Sequence, residues 1–471
     1  ETAAAFWRAY AAGDKTPSEI AERALAATAA TEALAPPMRL FIAQDAADVR
    51  AMAAESTERW RSGRPLGLLD GVPVAVKDEL DQRGYHTTVG TAFLGRERAT
   101  EDATVVARLR AAGATLLGKT NMHEMGLGVT GVNPHHGACR NPHDPGHATG
   151  GSSSGPAAVV AAGLAPIAIG ADGGGSIRIP AALCGVVGLK PTFGRVSEYG
   201  AAPLCWSVAH VGPIGATVAD VAVAYRLIAG PDPRDKSSLG RPPVDGPSLQ
   251  DLIDPHLDGL RVGVFRPYFE DAEPAIVAAC NRAVATLVAR GARVVEVAVP
   301  NLQLLRAVHL VTIVSEMAAA HLRYRLDGTA RYAHDTRLNL ALARKLQATD
   351  YVHAQRLRTG LCEQFRRLFG EIDVLATPAT GRTAPPIPQD ALRTGESNLP
   401  VTDQILRFAL PGNVTGYPGI SVPAGADAAG LPIGFQLLGR PFEEAGLLRA
   451  ARVVELATPP RTPRVFHRLL T

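Results

Sequence analysis

The chain has 471 residues, 46% apolar and 20% charged, with a formal charge of +3. That composition excludes a mainly disordered chain, and the near-balance of charge leaves no basic field for nucleic acid and no acidic tail, so a small molecule is the expected partner. Cys139, Cys184, Cys205, Cys280 and Cys362 form no CxxC pair and are expected as reduced thiols in a cytoplasmic setting. No uninterrupted apolar run reaches the roughly 18 residues of a bilayer-spanning helix, so no membrane span is expected. Glu1 to Tyr10 lacks the basic-then-apolar order of a signal peptide. The first residue is Glu rather than Met, which leaves a removed preceding segment open.

In chain order, Thr16-Pro17-Ser18-Glu19 carries an N-cap hydroxyl, a proline at the first helical position and a glutamate three residues after the cap. A helix starts there, with Ile20, Ala24 and Ala27 as its apolar stripe, and residues 1–64 read as a helical leader. Gly71 to Lys77 reads as a short buried strand, because nothing charged interrupts it before Lys77. A helix over Asp102 to Ala112 and a strand over Ala114 to Leu117 follow. This alternation predicts an α/β fold, a mixed, largely parallel twisted sheet surrounded by helices. Between Asn121 and Gly212 glycine, serine and proline are dense, with a strand expected at Ala165 to Ile169 and turn-like chain at His143 to His147. Regular alternation returns with strand Arg261 to Phe265, helix Ala275 to Arg290 and strand Arg293 to Val299. Residues 301–369 read as a helical insertion near the substrate site, and Ala379 to Pro400 as a surface loop at its mouth. No repeat or charged linker divides the chain, so residues 1–471 are expected to form one domain.

Two clusters carry the chemistry: Thr149-Gly150-Gly151-Ser152-Ser153-Ser154-Gly155 and Gly170-Ala171-Asp172-Gly173-Gly174-Gly175-Ser176-Ile177-Arg178. The three glycines before Ser176 let successive backbone NH groups converge on one point, which is how an oxyanion hole is built beside a nucleophile. Serine needs a base. Lysine can serve if its amine is neutral, which burial favours, and Lys77 at the end of an apolar strand is the lysine best placed for it. Asp78 and Glu79 follow directly, and either one, brought against the amine, would favour the charged form instead.

The run from Gly118-Lys119-Thr120-Asn121 through Arg195 resembles the amidase signature family. Lys77 sits in a segment similar to the family's GVPVAVKD strand, Ser152 at the first serine of its GGSS turn, and Ser176 at the serine of its GGSIR loop, with separations of 75 and 24 residues that also resemble the family's. The resemblance implies a mixed sheet wrapped by helices and a Ser, cis-Ser, Lys triad. In it Ser176 attacks the carbonyl, Ser152 relays the proton to Lys77, and the NH groups from Gly173, Gly174 and Gly175 to Ser176 take the oxyanion. It also implies a cis peptide between Gly151 and Ser152, and Met125 and Gly126 against the acyl group, with simple core packing as the alternative for those two. Residues 65–230 form the signature core. Lys119 to Gly126, Arg140 to Asp144 and Gly188 to Thr192 are most similar to plant-type fatty acid amide hydrolases and related bacterial amidases.

Other readings compete. Gly151-Ser152-Ser153-Ser154-Gly155 matches GxSxG, which would make Ser153 the nucleophile, but an elbow needs a strand immediately before it. The glycines at 173–175 lack the GK[ST] or GxGxxG of a phosphate cradle. His135, His136, Cys139, His143 and His147 cluster, yet their spacing fits no common closed zinc site. Asp172 and Arg178 read as structural supports of the nucleophile loop. The expected protein is therefore an amidohydrolase without metal or cofactor. It would be a monomer or homodimer acting on an aryl or fatty acyl amide, with esters and carbamates (urethanes) within reach of the same chemistry. One rival is the glutaminase subunit of a tRNA-dependent amidotransferase, disfavoured by His123, Ser154 and Pro156 where that subunit usually carries aspartate, glycine and serine. A ligand-binding pseudoenzyme is disfavoured by the intact Lys, Ser, Ser set.

Overall fold

The computed structural model describes residues 1–299, 301–323, 330–396 and 398–471. Its strands, in chain order, are β1 (Phe41–Ala43), β2 (Pro73–Lys77), β3 (Thr115–Thr120), β4 (Arg140–Asn141), β5 (Asp144–Ala148), β6 (Ile167–Ala171), β7 (Val187–Lys190), β8 (Val211–Gly215), β9 (Arg261–Val264), β10 (Arg293–Glu296), β11 (Val374–Pro378), β12 (Gly419–Ala426) and β13 (Pro432–Gly439). β4 and β5 pair with each other; the rest form one sheet in the order β1-β3-β2-β6-β8-β7-β12-β13-β11-β9-β10. Every residue of β2, β3, β6, β7, β8, β11 and β13 is buried, as expected of strands covered by helices on both faces.

The mixed α/β sheet is the one expected, but its parallel part is narrower. β3-β2-β6 and β11-β9-β10 are parallel, and these are the two places where the sequence alternates strand and helix. The ladders from β6 through β8, β7, β12 and β13 to β11 are antiparallel, as is β1 at the edge. There hairpin-like returns such as Pro423 to Pro432 replace helical crossovers.

Thr16 and Glu19 form the reciprocal cap that starts the Pro17–Glu32 helix, which buries Ile20, Ala24 and Ala27 as read from the sequence. Two short, fully buried helices, Ser154–Ala161 and Arg178–Cys184, follow the two serine clusters. Their small residues let them lie directly on the sheet. The chain at 144–148 is extended in β5 rather than turn-like. The 379–400 segment is not a surface loop over its first part. Ala379 and Ala384 are buried, and main-chain bonds run from Ala148 N to Pro385 O (2.8 Å) and from Gly381 N to Gln404 O (2.8 Å). Its proline and threonine content reflects a strap with its polar groups satisfied.

The insertion comprises helices Leu302–Arg323, His334–Ala343 and Ala348–Glu371; residues 324–329 of the expected helical stretch lie outside the described residues. By length and composition Leu302–Leu322 would suffice to cross a bilayer, which the search for an uninterrupted apolar run missed because Arg306 and Glu316 fall within it. The helix carries Thr312 and Glu316 buried at its inner face. Glu316 accepts from Ser207 N (3.0 Å) and Tyr351 Oη (3.0 Å).

Candidate active site

Three lysines are buried at or near strand ends: Lys77, Lys119 and Lys190. Lys119 donates to Thr87 Oγ1 (3.0 Å) and faces Asp78 (3.3 Å), while Lys190 donates to Pro191 O (3.0 Å). Among them only Lys77 reaches a serine: Nζ is 2.9 Å from Ser152 Oγ. The peptide Gly151-Ser152 is cis. The Ser152 carbonyl accepts from His123 N (3.1 Å), and Ser153 N donates to Ser176 O (3.2 Å), so the two serine turns lie side by side. Among the described residues the hydroxyls of Ser152 and Ser176 do not hydrogen-bond to each other; catalytic hydrogen bonds commonly tighten only with substrate.

Lys77 does not sit in an apolar hole. Glu79 Oε2 is 2.7 Å from Nζ, and the Ala171 carbonyl is 3.4 Å away. Asp78 turns aside, taking Thr88 N (3.1 Å) and Gly90 N (3.1 Å) on Oδ2.

The Gly173 to Ser176 loop is held from within by Asp172, which accepts Gly175 N (2.6 Å), Ile177 N (3.2 Å), Arg178 Nε (3.0 Å) and Asn413 Nδ2 (2.9 Å). Burial alone would raise the Asp172 carboxyl, but Arg178, Lys190 and Asn413 outweigh it and hold the group well below the usual carboxylate range. Asp172 and Arg178 are therefore the expected supports. The Gly175 contact also corrects the expected oxyanion hole: that NH is used inside the loop. The NH groups of Gly173, Gly174 and Ser176 have no acceptor among the described residues.

His309, on the Leu302–Arg323 helix, bonds through Nε2 to the Gly173 carbonyl at 2.7 Å. A carbonyl only accepts, so Nε2 carries the proton, and burial pushes the imidazole down to about 4. A Cβ on Gly174 would stand 2.9 Å from the His309 ring, so glycine is needed there. Nothing in the sequence pattern singled out His309, since its partner is a main-chain atom 136 residues away. Fixing Gly173 O aims the following NH groups. His309→Leu is expected to lower kcat about ten- to hundredfold with KM little changed, and His309→Gln, which keeps a donor, to recover part of the loss in steady-state assays.

Ser176 and Gly174 open onto a cavity of about 400 Å³. Its lining mixes aliphatic side chains, among them Leu127, Val129, Leu310, Ile313, Leu338 and Leu406, with the polar His123, Asp335, Asn339 and Glu396. Gly126 lines this cavity, and a Cβ on it would stand 3.6 Å from Ser152 Oγ. Met125, expected beside it, is instead fully buried in a cluster with Phe93, Met122 and Met317. Its backbone is left-handed (φ 53°), which turns the side chain inward while the next residue faces the cavity.

His123 Nε2 lies 2.5 Å from Asp335 Oδ2, joining the signature core to the insertion. Burial opposes the charged imidazole, but Asp335, with Glu124 and Glu396, raises His123 above its ordinary value of 6.5. A group raised on folding contributes stability that is full below its unfolded value and is lost as pH rises through the folded one. The drop in Tm caused by His123→Asn should accordingly be largest near pH 5 to 6 and shrink as the pH rises above about 6.5, read by thermal denaturation.

The histidine cluster does not gather. His135 bonds Glu124 (2.6 Å), His136 bonds Thr91 O (3.0 Å), His143 bonds Cys184 O (3.2 Å) and His147 faces Asp144 (3.4 Å). Among the described residues no three His, Cys, Asp or Glu side chains are grouped to hold a metal ion. Ser153 Oγ is occupied by the Ala171 carbonyl (3.0 Å) and NH (3.3 Å) at the C-terminal end of β6. All five cysteines are free.

The sequence and the fold are similar to those of known proteins. The model of the family described as Amidase matches residues 22–448. A fatty acid amide hydrolase of Oryza sativa subsp. indica is 42% identical over 99% of this chain and 78% of its own. A glutamyl-tRNA(Gln) amidotransferase subunit of Chloroflexus aurantiacus is 38% identical over 98% of both chains. The crystal structure of a bacterial aryl acylamidase of the amidase signature family superposes with a TM-score of 0.86 at 26% identity, covering 97% of this chain and 96% of that one. The chain belongs to the amidase signature family and is a hydrolase of carbon–nitrogen bonds.

Proposed function

We propose that the protein hydrolyses amides with a mainly apolar acyl or aryl group through an acyl-enzyme on Ser176. The observation that carries this reading is the position of Ser176: it borders an aliphatic cavity, and the hydrogen-bonded Lys77–Ser152 pair lies alongside. In the proposed reaction Lys77 takes the Ser152 proton as Ser152 takes that of Ser176, and Ser176 Oγ adds to the carbonyl carbon. The NH groups of Gly173, Gly174 and Ser176 receive the negative oxygen. Collapse breaks the C–N bond as the proton returns through Ser152 to the leaving nitrogen, and water repeats the sequence on the ester.

A cavity of about 400 Å³ is within the size range of small-molecule sites, and its eight aliphatic side chains suit a hydrocarbon acyl group. Similarity to a fatty acid amide hydrolase and to an aryl acylamidase points the same way. Esters and carbamates present the same carbonyl and are proposed as secondary substrates. Glutamine fits less well. Its ammonium and carboxylate would need paired charges, whereas Asp335 is taken by His123 and Arg306 by Asp403 (2.8 Å).

Nitroanilides of increasing acyl length test the proposal. Each methylene buried contributes about 0.8 kcal/mol, so kcat/KM is expected to rise roughly fourfold per carbon until the cavity is filled, with no ammonia released from glutamine. A flat series, or glutamine turnover, would favour the glutaminase reading.

A further inference from the structure

We propose that Glu79 is a positioning residue for Lys77, its carboxylate serving as the fixed counter-charge for the ammonium that forms when Lys77 receives the Ser152 proton. The inference rests on the reading of Lys77 as base.

The argument begins with the turn that ends β2. Leu80 N donates to Lys77 O (3.0 Å) and Ala202 N to Glu79 O (2.9 Å), which folds the chain so that two adjacent carboxylates diverge. Asp78 goes to Thr88, Gly90 and Lys119. Glu79 returns to Lys77 at 2.7 Å, with side chains only 8% and 1% exposed. Around Nζ this leaves three acceptors, Ser152 Oγ, Glu79 Oε2 and Ala171 O, which matches the three N–H donors of an ammonium.

A base that is charged at the transition state gains from a fixed partner that stabilises the charged form, because placing the proton on Nζ then costs less. Glu79 makes and breaks no bond. The proton balance is unchanged: Ser176 loses one to Ser152, Ser152 loses one to Nζ, and the Glu79 carboxylate offsets the new positive charge within a buried site where water cannot.

The other ionisable groups that face the pair do not compete. Burial, with Asp235, Glu79 and Glu316, pushes Glu198 well up toward its protonated form. Burial, with Glu79, Glu316 and Glu198, pushes the Cys205 thiol up. Glu316, on the insertion helix, is engaged by Ser207 and Tyr351. Glu79 is thereby the carboxylate in direct contact with the amine.

The test is kcat/KM against pH for wild type, Glu79→Gln and Glu79→Asp with a hydrophobic nitroanilide, with Lys77→Met alongside. Removing an opposite charge at this distance disfavours the ammonium, so in Glu79→Gln the acid limb is expected to move to lower pH by about one to two units. Its plateau kcat is expected to fall about ten- to hundredfold, with KM nearly unchanged. Glu79→Asp, its carboxylate withdrawn by one methylene, should shift in the same direction by less and retain more of kcat. A limb that stays put in either folded variant overturns the proposal. A purely structural role would lower Tm without moving the limb. If Lys77→Met is inert while the Glu79 limbs match wild type, only the role of Glu79 fails; if Lys77→Met remains active, the base assignment itself fails.

Discussion

Ser176→Ala is expected to lower kcat/KM on a hydrophobic anilide by about 10⁴- to 10⁶-fold, the range seen when a serine nucleophile is removed from its unit. KM and Tm should remain near wild type. The Ser176 hydroxyl has no hydrogen-bond partner among the described residues, so removing it orphans no buried group. Ser153→Ala is the contrasting control. Its hydroxyl bonds both the NH and the carbonyl of Ala171, so the change should cost about 1–3 kcal/mol of stability and leave turnover within a few fold. Steady-state kinetics and thermal denaturation on both variants separate the roles, and the opposite pattern would assign the nucleophile to the GxSxG serine.

Lys77→Met should also abolish turnover, by at least about 10⁴-fold, and here stability falls as well. The substitution preserves length but strands Glu79 beside β2, and breaking a buried ion pair by removing one partner costs about 3–5 kcal/mol. The double variant Lys77→Met/Glu79→Gln removes the stranded charge and is expected to recover most of that stability with none of the activity. A double variant no more stable than the single one would mean that Glu79 does not depend on Lys77 for its solvation.

The parts of the site legible in the sequence are those set by local backbone chemistry. Lys77 could be picked because an apolar strand must carry a terminal lysine inward, and the glycines at 173–175 because a chain that turns NH groups toward one point needs them. Contacts across long separations carried no such mark. His309 reaches Gly173 over 136 residues, and Asp335 reaches His123 over 212. Which of two adjacent carboxylates meets Lys77 depends on the turn after β2, which composition does not specify. The Gly175 NH looked available to substrate until Asp172 was seen to take it. The same limit applies to the fold: the βαβ units at 73–120 and 261–296 were read as parallel and are, while the antiparallel centre depends on pairings such as β7 with β12 that no local pattern announces.

The most direct test of the central claim is intact-mass and peptide-mapping mass spectrometry on enzyme quenched by acid during turnover of a slow carbamate or acyl anilide. The account expects a single acyl or carbamoyl mass on the peptide containing Ser176, absent from Ser176→Ala. An adduct on Ser152 or Ser153, or one that persists in Ser176→Ala, would contradict it.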